Sequence, residues 1–391
     1  MSDEQQAGDY IPIVWQGRRV SAFVPALLAD RDLALTSTTV RRAAAAAADV
    51  AAGAAAMPAD YLALARLLLR AEGVASSYIE GIAAPLADVV ISEAAFVGAT
   101  SGPAAWVAAN LAALTEAVDA AHGAPLTVGL LCDWHRTLMA GSPLPGRYVG
   151  VIRDEQGWIG GSSPLDAALV TPPPDRLDAL LTDLVEYSNR DDEHLDPIVQ
   201  AAVAHAQFET IHPFGDGNGR VGRVLVSWVV TRRLRLVTPP PISTRIAADR
   251  HGYLAGLGLF RLGNPDAWVR WFADTVSGAG RVQRELVGQV EVIRRDWQTR
   301  LAGDGTGRTV RRDALAWQLL DLLPAHLVVT APRLAALTGQ HLRTVQKALG
   351  TLVDVGVLAA HRPTGPRPVG RPTRLYVSPD LLALAGANPL R

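Results

Sequence analysis

The sequence predicts a mainly α fold that carries a short β-hairpin and ends in a small helix-turn-helix domain. Three observations lead there. Alanine- and leucine-rich stretches of high helix propensity recur between Arg41 and Arg300. Glycine and proline punctuation is concentrated in one internal stretch, residues 143–174. A glycine-rich link, Ala302-Gly-Asp-Gly-Thr-Gly307, then precedes a smaller, basic unit.

Residues 1–42, with Pro12, Pro25 and a Ser/Thr cluster, read as an irregular lead-in. From Arg41 the alanine-rich stretch favours helix and is broken by Gly53 and Pro58. Tyr61–Ile79 reads as a strong helix that stops at Gly81, and further helices are expected at Pro103–Ala121, Leu126–Met139, Arg176–Asn189 and Pro197–Glu209. Between 143 and 174, Pro145-Gly146, Gly150, Gly157, Gly160-Gly161 and Pro172–Pro174 mark turns. There Val149–Arg153 and Trp158–Ile159 are expected to form a hairpin over the helical body. Helices follow at Arg220–Arg235, Ala247–Leu259, Ala267–Val276 and Arg281–Arg300, with Pro239–Pro241 as a stop. Three regions are therefore expected: 1–100, 101–300 and 308–391.

In the last region, Thr330–Leu337, the turn Thr338-Gly339-Gln340 and His341–Leu352 read as helix-turn-helix. Val357–Ala360 and Arg374–Val377 would flank a loop holding Arg362, Arg367 and Arg371. This unit resembles a winged-helix domain, with Arg343 and Lys347 on its second helix. Residues 301–391 carry eleven Lys/Arg against five Asp/Glu, an excess of six positive charges in a chain of net charge −1. DNA contact through 330–377 fits that excess, and so does a protein-interaction role.

The bulk numbers exclude several classes. At 391 residues and 49% hydrophobic content the chain can bury a substantial core. Cys132 is the only cysteine, which rules out an internal disulfide or a thiolate metal cage. No run of ~20 apolar residues suits a bilayer, and the acidic start is not a secretory signal. A cytoplasmic protein with no membrane partner is expected. His122, Trp134 and His135 read as ordinary helix residues.

The chemistry is concentrated in His212-Pro-Phe214-Gly-Asp216-Gly217-Asn218-Gly219-Arg220, with Arg223 one turn on. Pro213 disfavours helix at His212 and aims the imidazole into a loop. A neutral imidazole can take a proton from an attacking hydroxyl. Asp216 is an oxygen ligand of the kind Mg²⁺ accepts beside phosphate oxygens. Gly217 and Gly219 let backbone N–H groups face an anion, and the helix starting there adds its positive end. Arg220 and Arg223, three residues apart, can face one polyphosphate. Gly217–Gly222 also fits G-x-G-x-x-G, but a helix precedes it where a dinucleotide fold needs a strand. A calcium loop would need Glu where Ser227 stands, and no G-x-x-x-x-G-K-[ST] occurs.

The same residues match H-x-F-x-[DE]-G-N-G-R-x-x-R at every specified position, and the chain resembles the Fic (Fic/Doc) family from roughly residue 10 to 290. The resemblance implies a helical Fic core with a short β-hairpin flap, plus the small C-terminal winged helix-turn-helix domain. It implies a protein adenylyltransferase that moves AMP from ATP to a Ser, Thr or Tyr hydroxyl of a target protein. His212 would be the base, and Asp216 would hold Mg²⁺ between the α- and β-phosphates. Gly217, Asn218 and Gly219 would bind phosphates, Arg220 the leaving pyrophosphate and Arg223 the γ-phosphate. Phe214 would pin the loop to the core, and the flap would hold the target by strand addition. Tyr253 resembles the second of two tyrosines near the nucleotide base, with Gly252 in place of the first.

Ser76-Ser-Tyr-Ile-Glu80-Gly81 resembles the family's inhibitory motif, [ST]-x-x-x-E-[GN]. The resemblance implies that Glu80 pairs with Arg223 and takes the place of the γ-phosphate. The same site could remove AMP instead, or a nucleotide-sensing Fic core could serve a DNA-binding regulator; the intact His212 and Asp216 argue against a pure sensor. Self-modification and a homodimer are both compatible with the sequence.

Overall fold

The computed structural model describes residues 7–31, 33–57, 62–94, 102–303, 310–311, 314–361 and 374–387. The chain opens on an antiparallel hairpin, β1 (Gly8–Trp15) and β2 (Arg18–Pro25), where an irregular lead-in was expected. Gln16 and Gly17 form its two-residue turn, both with positive φ (46° and 78°), the twist that suits a tight hairpin. Pro12 is tolerated because β1 is an edge strand that pairs only with β2.

α1 (Ser37–Ala55) is capped by Thr36, whose hydroxyl accepts from the Thr39 N–H. It runs through Gly53 instead of breaking there, because that glycine lies against a second one. A Cβ on Gly53 would come within 3.0 Å of the Gly280 carbonyl oxygen. α2 (Leu62–Ile79) follows, then α3 (Leu86–Ala94), α4 (Pro103–Ala121) and α5 (Val128–Leu138).

The internal hairpin is shorter than expected and differently paired: β3 (Trp158–Ile159) bonds to β4 (Leu169–Val170), not to Val149–Arg153. The Arg153 backbone is committed elsewhere, its N–H donating to the Pro213 carbonyl at 2.9 Å. The two hairpins meet. Phe23 and Leu169 share a small apolar cluster with Ala7, and Trp15 packs edge-on to Trp158 at 6.4 Å.

α6 (Leu177–Ser188), α7 (Pro197–Ile211), α8 (Asn218–Leu234), α9 (Ile242–Ala248) and α10 (Arg250–Arg261) complete the central body. Asp196 caps α7 through the N–H groups of Ile198 and Val199, with Pro197 in the first helical position. α7 and α8 are buried on nearly every face. α11 (Pro265–Ala302) is one helix of 38 residues where two were expected, about 57 Å long at 1.5 Å per residue. Its first half (Trp268, Phe272, Val276) lies in the main core with α1, α7 and α8. Its second half (Val290, Trp297, Leu301) lies in a second core.

That second core holds the C-terminal unit: α12 (Leu315–Leu322), β5 (Val328–Thr330), α13 (Ala331–Thr338), α14 (Leu342–Asp354), β6 (Ala359–His361), β7 (Leu375–Val377) and α15 (Pro379–Ala387). The strands form one antiparallel sheet in the order β5-β7-β6. Gly339, with φ +65°, makes the turn between α13 and α14. Leu67 of α2 and Val90 of α3 are built into the same core. Arg362, Arg367 and Arg371 lie outside the described residues. Among the described residues no helix is long and apolar enough to cross a membrane.

Candidate active site

α7 ends at His212 in the left-handed conformation, φ 51° and ψ 61°. This turns the imidazole out of the helix into the loop before α8. The ring's Nδ1–H donates to the Glu209 carbonyl at 3.3 Å, which leaves Nε2 as the lone-pair nitrogen. Burial, reinforced by the charge of Arg153, lowers the His212 pKa to about 4. The ring is therefore a free base at neutral pH.

The loop is closed by side chains that the motif alone does not explain. Asn218 accepts from the Phe214 N–H at 2.9 Å and donates to its carbonyl at 2.8 Å. Its amide thus ties the loop to the start of α8, where its backbone N–H joins the first turn. Phe214 is buried, and His135 stacks on it at 4.0 Å and 2°. The Nε2–H of His135 donates to the Asp216 carbonyl (3.0 Å), and its Nδ1 accepts from the Gly150 N–H (2.8 Å). Burial holds this ring neutral, with a pKa of about 4. His135 therefore joins the loop to the start of the flap segment; it is more than an ordinary helix residue.

Arg153 makes the second tie. Its Nε donates to the His212 carbonyl at 2.8 Å, and its Nη2 reaches Thr171 Oγ1 (3.0 Å) and the Pro172 carbonyl (2.6 Å). Burial lowers its pKa to about 10. Neither partner set could be read from spacing, since most of the partners are backbone groups well separated along the chain.

The first turn of α8 offers the anion site. Gly217, with φ +77°, brings the backbone against Met139, where a Cβ would come within 2.9 Å of the sulfur. The N–H groups of Asn218, Gly219 and Arg220 have no intrahelical acceptor. Arg220 is buried, its Nη2 lies 3.4 Å from the Met139 sulfur, and its Nε has no partner among the described residues. Such a guanidinium is poised for a ligand. Asp216 is exposed, with Oδ1 accepting from the Gly217 N–H at 2.6 Å.

Arg223 is already engaged. Its Nε donates to Ser76 Oγ (2.9 Å), and its Nη2 donates to the Ser76 carbonyl and to Glu80 Oε1, both at 2.8 Å. Burial pushes the Glu80 carboxyl up, but the charge and hydrogen bond of Arg223 outweigh it and leave the pKa below the ordinary value. A Cβ on Gly219 would come within 2.3 Å of Glu80 Oε1. The carboxylate therefore rests on the first turn of α8, where an anionic ligand would bind.

α2 is firmly held in this position. Glu72, fully buried, accepts from the Ser243 N–H at 2.7 Å and from its hydroxyl. Asn110 donates to the Gly73 carbonyl and to Ser77 Oγ at 2.9 and 3.1 Å. Tyr253, expected near the nucleotide base, lies on α10 beneath the loop. It is 3% exposed, its hydroxyl meets His205 Nε2 at 2.9 Å, and its ring packs against Trp268 and Trp271. It supports Arg223 from beneath. The carboxyl of Glu209 is buried beside Gly222 and raised to about 7 by burial.

This is a helical fold that presents a base, a carboxylate and an anion cradle on one interhelical loop. Residues 125–230 match the Fic/DOC family model, and that segment is similar to Fic/DOC-family proteins. The protein adenylyltransferase fic-1 of Caenorhabditis elegans is 33% identical over 128 residues, 32% of this chain and 22% of that protein. The protein adenylyltransferase Fic of Culex quinquefasciatus is 32% identical over 151 residues, 38% of this chain and 27% of that one. The chain thus spans about a quarter of the length of these curated relatives. A Fic family protein from Desulfovibrio desulfuricans G20 shares the fold over 88% of this chain and 97% of its own, at TM-score 0.54 and 22% identity. A Fic domain containing signaling protein from Bacteroides thetaiotaomicron covers 63% and 97%, at TM-score 0.51 and 18% identity.

Proposed function

We infer that the chain is a protein adenylyltransferase held in an inhibited state by its own α2. The observation that carries this reading is the position of the Glu80 carboxylate. It sits over Gly219 and bonds to Arg223, while the base at His212 is free and the Arg220 Nε lacks a partner among the described residues. A complete site is blocked by one side chain.

In the reaction, the oxygen of a target Ser, Thr or Tyr attacks the α-phosphorus of ATP and the bond to the β-phosphate oxygen breaks. His212 Nε2 takes the hydroxyl proton, and pyrophosphate leaves towards Arg220 and the N–H groups of α8. Arg223 would hold the γ-phosphate once Glu80 withdraws. Without that anchor the α-phosphate is not aligned for attack, and orientation supplies most of the rate. The donor set at Asp216 fits Mg²⁺ brought in with the nucleotide. One exposed carboxylate is available, and among the described residues no three His, Cys, Asp or Glu side chains gather into a metal cage. Bound there, the ion would neutralise phosphate charge.

The C-terminal unit reads as a winged helix. Arg343 and Lys347 are exposed and four residues apart on α14, a spacing that suits phosphate contacts on duplex DNA.

The test is labelling of protein from α-labelled ATP with Mg²⁺ and cell lysate. Wild type should label weakly, Glu80→Gly strongly, including on itself, and Glu80→Gly/His212→Ala not at all. Absence of label from Glu80→Gly under every condition would overturn the reading.

A further inference from the structure

A cavity of about 420 Å³ lies away from the His212 loop, between α2, α3, α4 and the C-terminal unit. Its volume falls in the range of small-ligand sites. Leu69, Leu111 and Val328 give it an apolar wall, and Arg66, Arg70, His326 and Arg333 give it a cationic one. The only carboxylate among its lining residues is Glu93, which pairs with Arg70 at 2.9 Å. Three arginines against one glutamate leave an excess of two positive charges.

The cationic wall is also open to a ligand. The side chains of Arg66 and Arg333 are exposed and make no hydrogen bond or ion pair with a described residue. The His326 side chain has no described partner either, although it is only 8% exposed. Burial, and after it the charges of Arg333, Arg66 and Arg70, hold that imidazole neutral, so it can donate one N–H to an acceptor. Solvent-facing guanidinium forks can exchange water for phosphate oxygens, whose geometry they fit.

We propose that this cavity binds a small organic phosphate, with its phosphoryl group against Arg66, Arg333 and His326 and its apolar body on Leu69, Leu111 and Val328. A dianionic monoester matches the double positive excess better than a carboxylate does. The ligand has a consequence for the catalytic loop because α2 forms one wall. Arg70, which also donates to the Ala325 carbonyl at 3.3 Å, lies six residues before Ser76 on that helix. Arg66 and Arg70 come from α2 and His326 and Arg333 from the C-terminal unit, so the groups converge in the arrangement that also puts Glu80 on Arg223. A ligand that needs this convergence stabilises it by linkage, so occupancy deepens inhibition. The regulatory half of the proposal rests on the Glu80 reading above, whereas the binding half does not.

The test uses the full chain, with phenyl phosphate as probe and calorimetry as readout. Saturable one-to-one binding is expected in wild type and in Arg220→Ala, which disables the catalytic anion cradle. Binding should fall at least tenfold in Arg66→Ala/Arg333→Ala, whose two side chains are exposed, so that the fold persists by melting temperature. No binding to wild type, equal binding to the double variant, loss in Arg220→Ala alone, or equal affinity for benzoate would each overturn the site. With phenyl phosphate bound, hydrogen exchange along residues 66–80 should slow and wild-type labelling from ATP should fall at least threefold. Glu80→Gly labelling should not change. Binding without any effect on exchange overturns the regulatory half. Binding and slowed exchange with no labelling by any variant uphold the site and sink the adenylyltransferase reading instead.

Discussion

Arg223 and Ser76 are joined twice, through Nε to the serine hydroxyl at 2.9 Å and through Nη2 to its carbonyl at 2.8 Å. Ser76→Ala removes only the first bond and leaves Glu80 in place. A hydrogen bond to a charged group contributes about 1.5–3 kcal/mol, so the variant should be partly released. Its initial labelling rate is expected between those of wild type and Glu80→Gly, and a rate equal to wild type would contradict the arrangement.

The pH profile of the released enzyme follows from His212. Its folded pKa is lowered to about 4, so the base form is complete above that value and is lost as pH falls through it. Labelling by Glu80→Gly should therefore show no acid limb from this group between pH 6 and 8. An acid limb near 6.5 in initial rates would show that the ring titrates as an exposed histidine.

His135→Ala should cost both loop and stability. It deletes two hydrogen bonds and a stacked ring, a loss of roughly 2–4 kcal/mol. The melting temperature should drop by about 2–5 °C, and labelling by the Glu80→Gly form should fall with it. Because the folded ring is held near 4 while an unfolded histidine titrates near ~6.5, the unfolded state binds the proton first. That stability is full above ~6.5 and is lost as pH falls towards 4. Removal of His135 should flatten this part of the acid dependence.

Gly219→Ala should have opposite effects in two backgrounds. In wild type the new Cβ meets Glu80 Oε1 at 2.3 Å, so the carboxylate must move off Arg223 and stability falls. In Glu80→Gly the nearest remaining atom is Arg223 Nη1 at 3.1 Å, and alanine in a helical turn stabilises by about 0.4–1 kcal/mol. Melting temperatures that shift equally in both backgrounds would mean that Glu80 does not sit over Gly219.

The helices and the loop were legible because their signals are local. Pro103 and Pro197 mark starts, Gly81 and Gly339 mark stops, and His212 to Arg223 carry their chemistry within twelve residues. What escaped depends on distant partners. Trp158 pairs with Val170 and not with the nearer Val149 segment, and no spacing shows that Arg153 is consumed by the carbonyls of His212 and Pro172. The opening hairpin did leave a trace, alternating residues about Gln16-Gly17, masked by the presence of Pro12. Gly53 read as a breaker because its reason, Gly280, lies more than two hundred residues away.

The two cores share α11 and α2, and this bears on how such a chain can change over generations. A cut after residue 303 would not detach a module. It would leave Leu67, Val90, Val290 and Trp297 facing water, and the remnant would be prone to self-association before its catalysis could be judged. Gene fusion or loss at that boundary is therefore penalised by solubility, and the two cores are inherited together.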